Sequence, residues 1–389
     1  FSYVLAFITV AATLADLGTT AVLAHGLALL EGQARAHYLG NYVLMRGALA
    51  FLVMLGALAV AVWVPHAERL ALLIAAFGLP VLASRFFEPV YQVVGQPWLS
   101  LWPNLAFGVA QLCLVAAVVW KPDMPLWLLT TGFVASNGVY TAVAIALMFR
   151  HVRPNWQPDR ALLTDILRLA LPMGVGALFT TLAIRMDVFV LERSHGAVIL
   201  GHYSAAYRIL DLAVFFAVTV TTPLIPILSR EIVHSRAAAL ARAQLFVQAT
   251  CALALPAAII VPTIATELVT LVFGAPYAPA AAPLSILVWN VLLVLVALIG
   301  TAVNLANGEV NHAYWVAPGG ALVAAGLNAW LVPRYGAVGA AWAALGTQAA
   351  MVAGSHYYTF ARFGNIYEPR AWRRIGACCA LLVVVLFSL

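Results

Sequence analysis

Residues 41–64 read NYVLMRGALAFLVMLGALAVAVWV, and Arg46 is the one charged side chain among them. A helix needs roughly 20 consecutive apolar residues to cross the hydrocarbon core of a bilayer, so this stretch predicts a transmembrane helix. Similar runs cover 1–25, 41–64, 69–88, 99–119, 125–149, 166–190, 203–228, 244–273, 283–306, 312–333, 337–361 and 371–389. The sequence thus predicts an all-α polytopic membrane protein with about twelve transmembrane helices.

The composition leaves no room for a soluble catalytic domain. The 389 residues are 64% hydrophobic and 9% charged, with a mean hydropathy of +0.99, whereas soluble domains carry about 25% charged residues. The longest segments between runs, around 150–165 and 229–243, have roughly fifteen residues, too few to fold alone. Lipid must therefore surround most of the chain.

The basic residues predict the orientation in the membrane. All but Lys121 are Arg, and most lie between the apolar runs. Alternate loops contain fourteen and four of them, so the Arg-rich side is predicted to be cytoplasmic. The net charge of +6 therefore reflects topology and predicts no nucleic-acid partner. The first run then crosses from outside to inside, and a cytoplasmic N-terminus requires one more helix before it.

A weak internal repeat predicts two pseudo-symmetric lobes of six helices. Phe1-Ser2 and Tyr203-Ser204 both open a run, and Thr19-Thr20 and Thr221-Thr222 follow at the same offset of 202 residues. A period of six helices with the same direction is typical of transporters built from two parallel lobes. The counterpart of the helix at 166–190 would precede the sequence, so the first helix of lobe one is expected to be missing.

This repeat predicts how the chain is divided. Residues 1–150 form the N-terminal lobe, 151–165 a cytoplasmic loop between the lobes, 166–361 the C-terminal lobe, and 362–389 a cytoplasmic loop with a partial extra helix. Both ends of the sequence fall in apolar runs, so we expect further segments beyond each.

Charged side chains inside predicted membrane helices are costly and are therefore candidates for function. Arg208 and Asp211 are three residues apart on one helix face, so a structural ion pair would account for both. Arg185 and Asp187 are about 200° apart around their helix, so one of them is expected to meet a charge on the next helix. A buried Arg without a carboxylate suits phosphate, because its guanidinium matches phosphate oxygens. A plain salt bridge between helices is the alternative.

Four more charges lie within the predicted helices. Arg46 is one turn inside its helix, where it either extends to the cytoplasmic headgroups or lines the inner mouth of a cavity. Arg85 and Glu88 are three residues apart and are expected to pair locally. Asp16 lies in mid-helix, where a carboxylate either binds a coupling H⁺ or Na⁺ or hydrogen-bonds a neighbouring helix.

Sequence patterns of enzymes and metal sites are absent. There is no HExxH, GxSxG or phosphate-binding glycine loop, and the nine His do not cluster. The four Cys lie in or beside apolar runs, without His at the spacing of metal ligands. We therefore expect no catalytic residues, no metal and no cofactor beyond a coupling ion.

Four stretches carry a resemblance to a known family. They are residues 1–23 with Ala15-Asp16-Leu17-Gly18, Leu171-Pro172 through Arg185-Met186-Asp187, Leu200-Gly201-His202-Tyr203 through Arg230, and Leu327-Asn328 followed by Pro333-Arg334-Tyr335-Gly336. In these stretches, which follow one another along essentially the whole chain, the protein resembles the polysaccharide or O-antigen flippases of the multidrug/oligosaccharidyl-lipid/polysaccharide superfamily.

The resemblance implies a V-shaped bundle of two six-helix lobes around a central cavity, in the inner membrane of a bacterium. Such proteins move a polyprenyl-pyrophosphate-linked oligosaccharide from the cytoplasmic to the outer leaflet, alongside a polysaccharide polymerase and other assembly proteins. The predicted substrate-binding residues are Arg185, Arg46 and Arg208, and the predicted coupling-ion or gating residues are Asp16, Asp187, Asp211 and Glu88. By this resemblance, we expect the family's first helix to be missing from the sequence. The run at 371–389 would be the thirteenth, where members have twelve or fourteen.

Three alternatives are compatible with the same residues. A cation-coupled multidrug antiporter of the same superfamily would need an acidic cavity, and the intramembrane charges here are of both signs. A flippase of the lipid-linked peptidoglycan precursor, another relative, would be indicated by a deletion that is lethal rather than polysaccharide-deficient. A membrane polysaccharide polymerase would need a sizeable outer loop, whereas the loops here are short.

Overall fold

The computed structural model describes residues 1–28, 30–64, 66–93, 96–121, 123–151, 154–221, 224–306, 313–364 and 366. All regular structure within these residues is helical, as the apolar runs predict. The helices are α1 (Ser2–Asp16), α2 (Thr19–Ala28), α3 (Gly32–Val62), α4 (His66–Phe77), α5 (Leu79–Leu82), α6 (Phe87–Val93), α7 (Leu101–Trp120), α8 (Leu126–His151), α9 (Arg160–Thr221), α10 (Leu224–His234), α11 (Arg236–Thr263), α12 (Ala265–Phe273), α13 (Ala281–Ala306) and α14 (Ala313–Arg362).

Among the described residues, seven helices are long and apolar enough to cross a bilayer, or eight if the bent pair Glu68–Phe77 and Leu79–Tyr91 forms one span. The prediction of an all-helical, multi-pass membrane protein is thereby confirmed. The predicted run at 371–389 lies outside the described residues, as does most of the predicted segment 362–389. The count of twelve spans and the arrangement in two lobes stay predictions.

A glycine reverses the direction of α9 near its middle. Gly196 has a φ of +78°, which a residue without Cβ adopts readily. The Tyr203 hydroxyl donates a hydrogen bond to Asp187, sixteen residues earlier, although sixteen residues of straight helix span about 24 Å. Helix α9 is therefore a hairpin with arms 160–195 and 197–221.

Helix α14 folds back in the same way at Gly336, whose φ is +55°. A Cβ added to Gly320 would lie 2.6 Å from Met351 Cγ, and one added to Gly346 would lie 2.7 Å from Leu327 Cδ1. Both pairs lie nearly symmetrically about Gly336 in the sequence. The two arms are therefore antiparallel and approach closely at small residues, as membrane helices commonly do.

The contacts divide the chain into two units, Phe1–Thr181 and Leu182–Leu389. The core of the first is rich in aromatic residues, and its largest members are almost completely buried. The core of the second lies on α10, α11 and α13 and is mostly aliphatic. Representative core residues are Tyr42, Tyr91 and Tyr140 in the first unit, and Leu224, Val247, Cys251, Ile299 and Val303 in the second.

The short segment between α8 and α9 is hydrogen-bonded to the first turns of α3. Asn41 is fully buried, and its side chain donates to Gln157 O at 3.0 Å and accepts from Asp159 N at 2.7 Å. Asn155 N donates to Ala36 O at 2.9 Å. These bonds satisfy backbone groups of the segment and fix it on the first unit.

Helix α9 begins at Arg160, earlier than its apolar run predicts, because Asp159 caps it. The Asp159 carboxylate accepts hydrogen bonds from Ala161 N at 2.9 Å and from Leu162 N at 3.3 Å. The Leu162 N–H, with smaller contributions from Ala161 and from His37, holds the pKa of this carboxyl below its usual value.

We expect Gly40→Ala to destabilise the protein. A Cβ at Gly40 would lie 1.8 Å from Asn155 O, so the docked segment would have to move, at a cost of about 1–3 kcal/mol. Gly47 lies on the same helix with no atom within 4 Å of such a Cβ, so Gly47→Ala is the matched control. The measurement is the thermal unfolding midpoint of each purified variant in detergent. Equal midpoints for the two variants would contradict the docked position of the segment.

Candidate functional site

The predicted membrane run at 1–25 is interrupted beside its carboxylate. Helix α1 ends at Asp16, and the next two residues, Leu17 and Gly18, have φ angles of +45° and +74°. The Asp16 carboxylate accepts hydrogen bonds from Gly18 N at 3.2 Å, from Thr20 N at 3.3 Å and from the Thr20 hydroxyl. Asp16 thus satisfies N–H groups at the start of α2, as a capping carboxylate does.

Arg46, on α3, is buried against this break with only 6% of its surface exposed. Its Nη1 donates to Asp16 Oδ1 at 2.6 Å, to Ala15 O at 2.9 Å and to Thr19 Oγ1 at 3.2 Å. Its Nη2 donates to Ala83 O at 2.9 Å. Arg46 therefore does not extend to the headgroups, and the structure joins two residues that were predicted separately as a substrate ligand and an ion ligand.

Arg46 also lines a cavity of about 240 Å³ within the first unit. The walls are mostly apolar. The hydroxyls of Ser84 and Thr141, which line it as well, are hydrogen-bonded to each other at 2.5 Å. The cavity thus offers apolar surface and a cation that is already paired with a carboxylate.

The expected local pair of Arg85 with Glu88 does not form: within the part of the chain that the structure describes, no guanidinium nitrogen of Arg85 lies within 4 Å of a Glu88 carboxylate oxygen. Arg85 instead lies over the rings of Phe107 and Tyr140, at 4.8 and 5.1 Å from the ring centroids. Glu88 accepts a hydrogen bond of 3.4 Å from Asn104. Attraction between the cation and two ring faces offers Arg85 an alternative to the carboxylate.

A second cluster lies between the arms of the α9 hairpin. Asp187 is 3% exposed and Tyr203 is 1% exposed. The Tyr203 hydroxyl donates a short hydrogen bond to Asp187 Oδ2, and Val188 N donates to Oδ1 at 2.7 Å. The ring of Tyr207 is 5.6 Å from that of Tyr203. The buried carboxylate is therefore satisfied by a hydroxyl and a backbone amide.

Arg185 is half-buried in this cluster and lies close enough to Asp187 and Asp211 to act on both electrostatically. The partner of Asp187 on the second arm is the neutral Tyr203 hydroxyl, so the expected contact with a charge on the next helix stays a prediction. Arg208 and Asp211 are exposed. Within the described residues, neither Arg185 nor Arg208 has a carboxylate oxygen within 4 Å, so the expected ion pair of Arg208 with Asp211 is not formed. The guanidinium of Arg185 thus keeps its hydrogen-bond donors available.

Tyr203→Phe is expected to destabilise the α9 hairpin. The change removes one donor from a buried carboxylate, which costs about 1–3 kcal/mol. Tyr207→Phe is the matched control, because Tyr207 lies one turn away and makes no hydrogen bond to Asp187. Thermal unfolding of both variants measures the difference, and a Tyr203→Phe midpoint as high as that of Tyr207→Phe would contradict the role of this hydroxyl.

The sequence patterns do not predict the partners of the two carboxylates. Thr19 and Thr20 follow Asp16 at three and four residues, a spacing that suits capping and is the signal that could identify them. Tyr203 belongs to the family motif, which does not indicate its hydrogen bond to Asp187. Across the described residues, no group of three or more His, Cys, Asp or Glu is arranged to hold a metal ion.

Comparison with known proteins connects this fold to membrane transporters. A family model described as polysaccharide biosynthesis protein matches residues 1–231. Among solved structures, the lipid II flippase MurJ in an inward closed conformation superimposes with a TM-score of 0.80 at 14% identity, covering 99% of this chain and 85% of MurJ. No curated protein matches the sequence.

Two further structures share the fold at low identity. An inward-facing multidrug resistance MATE family transporter of the MOP superfamily has a TM-score of 0.69 at 14% identity, covering 97% of this chain and 89% of its own. A MOP superfamily transporter from Pyrococcus furiosus has a TM-score of 0.63 at 15% identity, covering 96% and 86%. The chain therefore has the fold of the MOP superfamily transporters.

Proposed function

This chain belongs to the polysaccharide biosynthesis protein family, and on that basis we propose that it flips a polyprenyl-pyrophosphate-linked oligosaccharide across the inner membrane of a bacterium. The transporter fold and the family both support a carrier of lipid-linked cargo. The absence of catalytic motifs from the sequence is in keeping with a carrier that leaves its cargo chemically unchanged.

Arg185 is the observation that carries this proposal. It lies inside a membrane-spanning helix, half-buried, near two carboxylates but without an ion pair to any described residue. A guanidinium in lipid is costly, so its retention calls for a partner. A pyrophosphate presents oxygens in the geometry that the guanidinium fork matches. Arg208, exposed on the second arm, is the next candidate for the same anion.

The three parts of the cargo explain why a transporter of this fold suits it. The anionic pyrophosphate and the polar glycan need a protected path, whereas the polyprenyl tail can stay in lipid throughout. Alternating access by rocking of two lobes would provide that path. Asp187 and Asp211, beside Arg185, are the candidates for binding a coupling H⁺ or Na⁺, since a cation bound there would alter the field at Arg185.

Two other cargoes remain candidates because specific observations favour them. The similarity to the lipid II flippase MurJ favours the lipid-linked peptidoglycan precursor, whose pyrophosphate the same Arg would suit. The similarity to MATE transporters favours an organic cation, for which Asp187 and Asp211 would be the ligands. If the protein is an enzyme instead of a transporter, the alternative function is that of a polysaccharide polymerase.

Depletion of the protein in its native host distinguishes these candidate functions. We expect lipid-linked oligosaccharide to accumulate on the cytoplasmic leaflet and surface polysaccharide to be lost, with growth retained. Accumulation of the peptidoglycan precursor with lysis would indicate the related flippase. Sensitivity to cationic drugs alone would indicate an antiporter, and short glycans that reach the outer leaflet but are not extended would indicate a polymerase.

A further inference from the structure

The terminal nitrogens of Arg46 and the Asp16 carboxylate are bonded within the protein, whereas the buried Nε of Arg46 has no hydrogen-bond partner. Nη1 of Arg46 contacts three oxygen acceptors of the protein and Nη2 contacts a fourth. Asp16 receives its own donors from Gly18, Thr20 and Arg46. A phosphate that bound Nη1 of Arg46 would have to displace the partly exposed Asp16 carboxylate, which lies 2.6 Å away and would lose its charged partner.

The pair satisfies backbone groups where the apolar run at 1–25 is interrupted between α1 and α2. A break within the bilayer exposes N–H and C=O groups that lipid cannot hydrogen-bond. Arg46 donates a hydrogen bond to the Ala15 carbonyl at the end of α1. The Asp16 carboxylate accepts hydrogen bonds from the Gly18 and Thr20 amides at the start of α2. Arg46 also reaches the Ala83 carbonyl, just after α5. The pair thus connects α1, α2, α3 and the end of α5.

The break held in this way is the surface on which the first arm of α9 packs. A Cβ on Gly18 would lie 2.6 Å from Gly174 N, and a Cβ on Gly174 would lie 2.2 Å from the carbonyl carbon of Leu17. Farther along the same contact, the hydroxyls of Thr13 and Thr181 are 3.2 Å apart. A shift of the break by one ångström would disturb this glycine contact, because interiors this tightly packed lack space to absorb it.

We infer that Asp16 and Arg46 are positioning residues, which hold the α1–α2 break in the shape that receives Gly174, and that neither binds the phosphate of the cargo. The transport half of this inference rests on the proposed function, whereas the packing half does not. The inference thus gives different roles to two arginines that were both predicted to bind substrate. Arg185 binds the anion, and Arg46 fixes the shape of the α1–α2 break.

Disulfide cross-linking tests the packing half. With the four native Cys replaced, Thr13→Cys and Thr181→Cys should form a disulfide on mild oxidation, because their hydroxyls are 3.2 Å apart. Adding Asp16→Asn or Arg46→Lys should slow the cross-link by on the order of tenfold, since each leaves part of a buried pair unsatisfied. The control is Arg242→Met with Glu231→Gln, which removes a more exposed ion pair of 2.5 Å and should leave the rate unchanged.

Arg46→Lys distinguishes positioning from phosphate binding. Lysine keeps the charge and is a good phosphate ligand, but it cannot reach four acceptors in a fixed plane. We expect this variant to transport lipid-linked oligosaccharide about tenfold more slowly while its affinity for the cargo stays within about twofold of the unmodified protein. Normal transport with a normal cross-linking rate would overturn the inference, as would a loss of cargo affinity with an unchanged cross-linking rate.

The double variant Asp16→Asn/Arg46→Met guards against simple misfolding, because it removes both charges and leaves none buried and unpaired. We expect it to insert and fold, yet to cross-link and transport slowly. A double variant that behaves like the unmodified protein would overturn the inference. If the unmodified protein fails to move lipid-linked oligosaccharide while the cross-linking results hold, the proposed function is wrong and the packing role stands.

Discussion

Arg185→Ala is expected to remove most of the affinity for a pyrophosphate-linked lipid. Hydrogen bonds to a charged group contribute about 1.5–3 kcal/mol, so the loss of the guanidinium should weaken cargo binding roughly 10- to 100-fold. Arg185→Lys should fall between, because Lys keeps the charge but not the planar fork. Binding of the purified variants to lipid-linked oligosaccharide in nanodiscs measures the effect, and flipping should decline in parallel.

Arg193→Ala is the matched control for this change. Arg193 lies eight residues farther along the same arm of α9 and is exposed. We expect its replacement to leave cargo affinity within about twofold, since an exposed charge contributes little. Membrane insertion and thermal midpoint should be the same for both variants. Unchanged cargo affinity in Arg185→Ala, with normal insertion, would remove the main support for a phosphate site on this arm.

Gly174→Ala is expected to have the largest effect on stability among the glycine substitutions in α9. An added Cβ would lie 2.2–2.5 Å from three backbone atoms of Leu17, which cannot rotate away as a side chain could. Overpacking of this kind costs about 1–3 kcal/mol, or more where the backbone must move. We therefore expect a clearly lower thermal unfolding midpoint and a loss of transport.

Gly176→Ala is the control for that prediction. Gly176 is two residues away on the same helix, and no atom lies within 4 Å of its added Cβ. Alanine forms helices more readily than glycine by about 0.5–1 kcal/mol, so this variant should be as stable as the unmodified protein or slightly more so. If both variants melt at the same temperature, the close crossing of α9 with the break after α1 is wrong.

The helices could be predicted from the sequence because lipid imposes a strong rule on composition. Where the structure describes the apolar runs from 1–25 to 337–361, most of their residues are helical. The hairpins of α9 and α14 were also expected, as consecutive runs joined by a short turn, and Gly196 and Gly336 supply the turns. Apolar composition does not reveal the interruption after Asp16, because the residues on both sides of it are equally suited to lipid.

Pairing between charges was harder to predict than their presence. Arg46 and Asp16 are thirty residues apart, so their contact follows from the packing of α3 against the α1–α2 break and not from any local spacing. For Arg85 the local spacing predicted an ion pair with Glu88, and this prediction is wrong. The Arg85 guanidinium instead contacts two aromatic rings on other helices. Local spacing predicts that a pair can form, and tertiary contacts decide whether it does.

Transport by the purified protein in proteoliposomes is the most direct test of the central proposal. The vesicles would contain either the polyprenyl-pyrophosphate-linked oligosaccharide or a matched neutral lipid that carries the same glycan without phosphate. We expect flipping of the pyrophosphate-linked lipid, little movement of the neutral one, and loss of flipping in Arg185→Ala. No flipping of the pyrophosphate-linked lipid, or equal flipping of both lipids, would contradict a transporter that recognises its cargo through Arg185.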